Sequence, residues 1–127
     1  VYNTALMRAA LAQAETVRER VLALIRCELQ SIMGGSGEAM AVLIYEWRSL
    51  SPEGQTKILA LRDLYEQLWL QVLGEAKEAG FIKGDVFVTR RFLTGALSWT
   101  TTWFRPQGSM TLDQLAEEAL MMALKDN

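Results

Sequence analysis

The sequence predicts an all-α domain, a bundle of about five helices, and three observations carry that prediction. Apolar residues recur at three- and four-residue steps over long segments, helix-start signals stand just ahead of those segments, and no stretch alternates apolar and polar residues as a half-buried strand would. At 127 residues, half of them hydrophobic and only two of them proline, the chain is long enough for one domain with a real core and too short for two. A single domain over residues 1–127 is therefore expected.

The first helix is expected from about Thr4 to Ile32, with Asn3 or Thr4 as its N-cap. Val17, Val21, Leu24, Ile25, Glu28 and Ile32 fall on one face, while Arg18, Glu19, Arg26 and Gln30 point largely away. Gly34-Gly35-Ser36-Gly37 breaks this helix, and Ser36 can cap a second one, Gly37 to Ser49, which places Met40, Leu43, Ile44 and Trp47 together. Ser51 as N-cap with Pro52 at the first helical position starts a third helix running to about Ala79. Ile58, Leu61, Tyr65, Leu68, Trp69, Val72 and Ala76 make one side of it, and Gly80 is a natural left-handed stop. Asp85 can cap a fourth helix, Val86 to about Trp103, ending ahead of Pro106. Thr111 with Gln114 three residues later has the spacing of a capping box and opens a fifth, to about Lys125.

The fourth helix contains the segment GALSWTTTWFRP, residues 95 to 106, which is rich in poor helix formers and so must be held by more than propensity. It also has two apolar sides. Val88, Phe92, Gly95, Trp99 and Trp103 share one, and Val86, Leu93, Leu97 and Phe104 share roughly the opposite one. Either this helix sits at the middle of the bundle, or one side faces the core and the other a second subunit. The last helix favours association, because Leu112, Leu115, Ala116, Ala119, Met122 and Ala123 form a wide apolar face, with Leu120, Met121 and Leu124 beyond its edges.

Composition excludes several classes of function. Thirteen basic against fifteen acidic residues give a net charge of −2, so there is no basic excess of the kind that binds a phosphate backbone. Histidine is absent, which removes Ser-His and Cys-His pairs and imidazole zinc sites. No carboxylates, lysines or hydroxyls show a catalytic spacing, so neither an enzyme nor a metal or cofactor site is expected. The longest apolar run, Ala39 to Tyr45, is far below a membrane span and no leader pattern opens the chain, so a cytoplasmic protein is expected. The single cysteine, Cys27, reads best as a small buried filler.

Binding remains. Trp47, Tyr65, Trp69, Phe92, Trp99 and Trp103 fall on core-facing sides, where they either fill the core or, with Met33 and Met40, frame a cavity for an apolar ligand. Glu28 interrupts an apolar stripe. It either orients a ligand or, more in keeping with buried charges generally, pairs with Arg48 or Arg62. Arg90 and Arg91 could meet an anionic group, but a solvated pair is the simpler reading.

The stretch from Leu64 to Leu120 resembles the C-terminal regulatory domain of the tetracycline-repressor (TetR) family of bacterial transcription factors. The matching elements are Ala79-Gly80-Phe81 at the end of a long helix, an Asp-capped helix carrying Leu-x-Gly-Ala-Leu-x-Trp (Leu93 to Trp99), Trp103-Phe104-Arg105-Pro106 with Gly108 nearby, and Thr-Leu-Asp-Gln-Leu-Ala after it. The start at Leu50-Ser51-Pro52 extends the match.

That resemblance implies a homodimer built by the last two helices of each subunit as a four-helix interface, with an inducer pocket among the earlier helices. Interface residues would then be Leu93, Gly95, Leu97, Leu112, Leu115, Ala119 and Met122, with Gly95 and Ala96 permitting close helix approach. Pocket residues would be Glu28, Met40, Trp47, Tyr65, Trp69, Phe92, Trp99 and Trp103. The resemblance also implies DNA binding by an N-terminal helix-turn-helix domain, which is expected to lie outside this chain. Relatives with the Trp/Arg-Pro pattern include sensors of acyl-CoA thioesters, the most specific effector class it suggests. A structural dimerisation module without a ligand is the alternative.

Overall fold

The long first helix expected from Thr4 to Ile32 is two helices in the computed structural model, which describes residues 4–34, 47–105 and 107–125. Helix α1 spans Thr4–Gln13 and α2 spans Val17–Gly34. Thr16 makes the break: its Oγ1 accepts from the Glu19 backbone N–H at 3.1 Å, while the Glu19 carboxylate accepts from the Glu15 N–H at 2.9 Å. Thr-x-x-Glu is the spacing of a capping box, so a start signal does stand at this point in the sequence. Of the expected second helix, residues 47–49 are helical, and Ser36, Met40, Leu43 and Ile44 lie outside the described residues.

Helix α3 spans Pro52–Glu78, and Ser51 Oγ caps it by accepting from the Gly54 N–H at 3.1 Å. Its end is a Schellman turn. Gly80 takes φ 89°, a conformation that side chains with a Cβ rarely adopt, and the Phe81 N–H reaches back to the Ala76 carbonyl at 2.9 Å. Helix α4 spans Val86–Trp99, capped by the Asp85 carboxylate, which accepts from the Val88 N–H at 2.9 Å. The α-helix stops four residues before the expected Trp103 because Thr100–Thr102 tighten into a 3-10 turn. Each hydroxyl of the threonine run donates to the carbonyl three residues back: Thr100 to Leu97, Thr101 to Ser98 and Thr102 to Trp99. Helix α5 spans Leu112–Ala123 and opens with the expected capping box between Thr111 and Gln114.

Helix α2 occupies the middle, packed against α1, α3, α4 and α5. The fourth helix is therefore not the central one. Its inner side carries Arg90, Leu93, Leu97 and then Thr100, while Val88, Phe92, Trp99 and Trp103 face outward. The core unites Val21, Leu24, Ile25 and Leu29 of α2 with Tyr65, Trp69, Val72, Leu73 and Ala76 of α3 and with Leu115, Ala116 and Leu120 of α5. Two charge pairs fasten α2 to its neighbours at the rim: Arg20 Nε to Glu75 at 2.7 Å on α3, and Arg26 Nε to Asp113 at 2.9 Å on α5. No strand occurs among the described residues, and no described helix is long and apolar enough to cross a membrane.

Candidate functional site

Two charged residues interrupt apolar stripes, Glu28 on α2 and Arg90 on α4, and the fold brings them face to face. Both are buried, at 7% and 4% exposure. Arg90 donates Nη1 to Glu28 Oε2 at 3.1 Å and Nη2 to Glu28 Oε1 at 2.8 Å. It also forks onto Glu66 of α3, with Nε and Nη2 each 2.7 Å from a carboxylate oxygen. The Tyr65 hydroxyl donates to Glu28 Oε1 at 2.5 Å, and the Trp69 ring lies under the guanidinium, its centroid 4.2 Å from Cζ. One point of the core thus ties α2, α3 and α4 together through charge-assisted bonds.

The electrostatics follow from burial. Loss of water pushes the Tyr65 phenol far above its ordinary range, and the adjacent Glu28 carboxylate pushes it further, so Tyr65 remains a donor. Burial alone would lower Arg90, but its bonds to Glu66 and Glu28 outweigh that and hold it charged. Burial also raises the Cys27 thiol against the opposing Arg26 charge, leaving it a poor nucleophile, in line with the filler reading.

Of the residues expected to bind a ligand, Glu28, Tyr65 and Trp69 come together here, Trp47 is half-buried near the start of α3, and Met40 lies outside the described residues. Phe92, Trp99 and Trp103 stand elsewhere, 75%, 66% and 54% exposed on the outer side of α4. The expected interface residues also divide. Leu93, Leu97 and Leu115 are buried in this chain's own core, Leu112 and Ala119 are half-buried, and Gly95 and Met122 are exposed. A Cβ on Gly95 would meet nothing within 4 Å, so no close helix approach occurs there among the described residues.

The pairing expected for Glu28 is present with a different partner: Arg90, 62 residues away, instead of Arg48 or Arg62. The solvated reading of the arginine pair is corrected for Arg90, whose charge is satisfied inside. Sequence reasoning named Arg90 without placing it inside, and it missed Glu66. The signal for Arg90 was its position on the Val86, Leu93, Leu97 side, where a charge opposite to that of Glu28 breaks a second apolar stripe. Glu66 has no such mark.

Between α3 and α4 runs an open groove of about 750 Å³ whose walls include Arg62, Glu66, Leu70, Phe87, Arg90 and Arg91. Arg90 and Glu66 link it to the buried cluster.

The tetracyclin repressor-like C-terminal domain family matches residues 14–126. The chain is 29% identical over 109 residues to the HTH-type transcriptional repressor KstR2 of Rhodococcus jostii (strain RHA1), covering 78% of this chain and 53% of that protein. It thus spans about half the length of this curated relative. Among solved structures, superantigen PfiT is 81% identical with a TM-score of 0.89, over 99% of this chain and 67% of that one. AibR in complex with isovaleryl coenzyme A and operator DNA shares the fold at 22% identity and a TM-score of 0.69, over 93% of this chain and 64% of that one. With residues 14–126 matched and the helical architecture in agreement, the chain belongs to the family of tetracyclin repressor-like C-terminal domains.

Proposed function

We propose that this chain is the dimerising, effector-sensing part of a TetR-like transcriptional repressor, whose DNA contacts are made by an N-terminal helix-turn-helix domain outside it. The observation that carries the reading is the outward side of α4, where Val88, Phe92 and Trp99 stand exposed around an open Gly95. Met122 of α5 borders a groove with Thr89, one turn before Phe92, so the apolar surface continues onto the last helix. Large aromatic rings left in water on α4, with an exposed methionine on the adjacent α5, favour a second copy as the cover. In this reading Leu93, Leu97 and Leu115 serve the monomer core, while Phe92, Gly95, Trp99 and Met122 meet the partner.

The effector is read as a hydrophobic molecule of the acyl-CoA thioester class, supported by the isovaleryl-CoA complex of AibR. Bound near the Glu28, Tyr65 and Trp69 cluster, it would act on α4 through Arg90, and it would shift DNA affinity only by favouring one arrangement of the dimer over another. Sedimentation velocity and a thermal-shift series with isovaleryl-CoA and longer acyl-CoAs test the two halves. A dimer that Phe92→Glu converts to monomer, with an acyl-CoA-dependent rise in melting temperature, is expected. A wild-type monomer removes the dimer. A dimer silent across the thioesters leaves a structural dimerisation module.

A second reading rests on the 81% identity to superantigen PfiT across nearly the whole chain. It holds that this domain, too, acts as a superantigen, and T-cell stimulation by the purified chain is its test.

A further inference from the structure

We infer that the groove between α3 and α4 is a binding site for an amphipathic carboxylate, and that Glu66 plugs it by occupying the ligand's place on Arg90. The inference stands apart from the acyl-CoA class named above, because a thioester carries no free carboxylate, and it shares with that reading only the expectation of an apolar ligand.

Three observations support it, and a consequence follows from them. Arg90 carries two carboxylates on one guanidinium, and they are not equivalent. Glu28 is the inner one, with a side chain 9% exposed, held by Tyr65 as well as by Arg90. Glu66 is the outer one, with a side chain 36% exposed at the groove wall. If Glu66 swings into water, Arg90 keeps Glu28 as counter-ion, so no buried charge is stranded and the exchange avoids the usual penalty for breaking a buried pair.

The geometry on Arg90 also selects the incoming group. Glu66 makes two parallel bonds of 2.7 Å to Nε and Nη2, the fork that matches a planar carboxylate. Trp69 behind the guanidinium holds its plane in position for whichever carboxylate arrives. Further cations flank the groove: Arg91 lies over the Phe87 ring at 4.4 Å, and Arg62 pairs with the exposed Asp63 at 3.5 Å. Phe87 and Leu70 supply apolar wall for a hydrocarbon tail. The groove is too open for a fully enclosed ligand, and one end anchored on Arg90 with the chain lying along Phe87 suits its shape.

Calorimetric titration of the 127-residue chain with sodium decanoate tests this, with decanol and decyl phosphate as comparison ligands. Glu66 competes as an intramolecular ligand, so Glu66→Ala and Glu66→Gln should each tighten decanoate binding about tenfold. Arg91→Ala should weaken it, and decanol should gain nothing from either Glu66 substitution. Circular dichroism confirms that each variant is folded. The inference is overturned if both folded Glu66 variants bind decanoate no more tightly than wild type, or if decanol gains equally. Decyl phosphate gaining more than decanoate overturns the carboxylate assignment. Acyl-CoA thermal shifts on the same proteins separate the two readings. A thioester response without any Glu66 effect on decanoate sinks the groove and leaves the effector reading standing. A Glu66-dependent gain for decanoate with no thioester response does the reverse.

Discussion

Arg90 is where the chain concentrates its electrostatic commitment. Its guanidinium joins three helices, so Arg90→Met should cost about 3–5 kcal/mol by leaving Glu28 buried without its cation. Glu66→Ala removes the more exposed partner and leaves Arg90 neutralised by Glu28, so it should cost far less, about 1 kcal/mol. Urea unfolding of both variants checks the contrast, and equal losses would contradict the inner and outer roles assigned to the two acids. Tyr65→Phe deletes a hydrogen bond to a charged group and should cost about 1.5–3 kcal/mol. The phenol also shapes the response to alkali. Its pKa in the folded chain is raised, so the stability it contributes is complete below the ordinary tyrosine value of about 10 and is lost as pH rises beyond it, when the unfolded state ionises first. Melting curves between pH 8 and 11 should fall more steeply above pH 10 for wild type than for Tyr65→Phe.

The helices owe their limits to local chemistry, and most of those limits can be read from short spacings. Ser51, Asp85 and Thr111 cap where their spacing predicts, because a cap needs only a side-chain oxygen and an N–H two or three residues on. Thr111→Ala should therefore cost about 1 kcal/mol, visible as a lowered melting temperature. Thr16 obeys the same rule, yet it was masked by the apolar stripe that runs from Val17 onward and by the alanine-rich segment before it. Within α3, a Cβ on Gly74 would meet nothing within 4 Å, so Gly74→Ala should stabilise the chain by about 1 kcal/mol. The threonine run after Trp99 is the reverse case. Three hydroxyls take successive carbonyls of the last turn, so residues that are poor inside a helix serve well at its end.

For the molecule as a whole, the arrangement turns on which side of α4 looks inward. Arg90, Leu93 and Leu97 do, and the aromatic side is left to water and, as proposed, to a partner. Gly95 offers a discriminating test, since it has open space in the single chain. If the face is bare in solution, Gly95→Ala should stabilise by about 1 kcal/mol and Gly95→Leu should leave the mass unchanged. If α4 packs on its partner there, Gly95→Leu should shift the sedimentation coefficient toward monomer.

Fold class, most helix ends and the family itself were legible in the sequence, because propensity, capping and apolar period are properties of neighbours in the chain. A paired Glu28 was the favoured reading too, from a lone carboxylate on an apolar stripe, with a ligand-orienting role as its alternative. Its partner was not legible, for Arg90 stands 62 residues away and only the packing of α2, α3 and α4 brings the two within hydrogen-bonding distance. Both sides of the fourth helix are apolar enough to be buried, and periodicity cannot rank them. Tertiary structure decides: the side carrying Arg90 finds counter-charges inside, and a buried cation can be accommodated only where such partners wait.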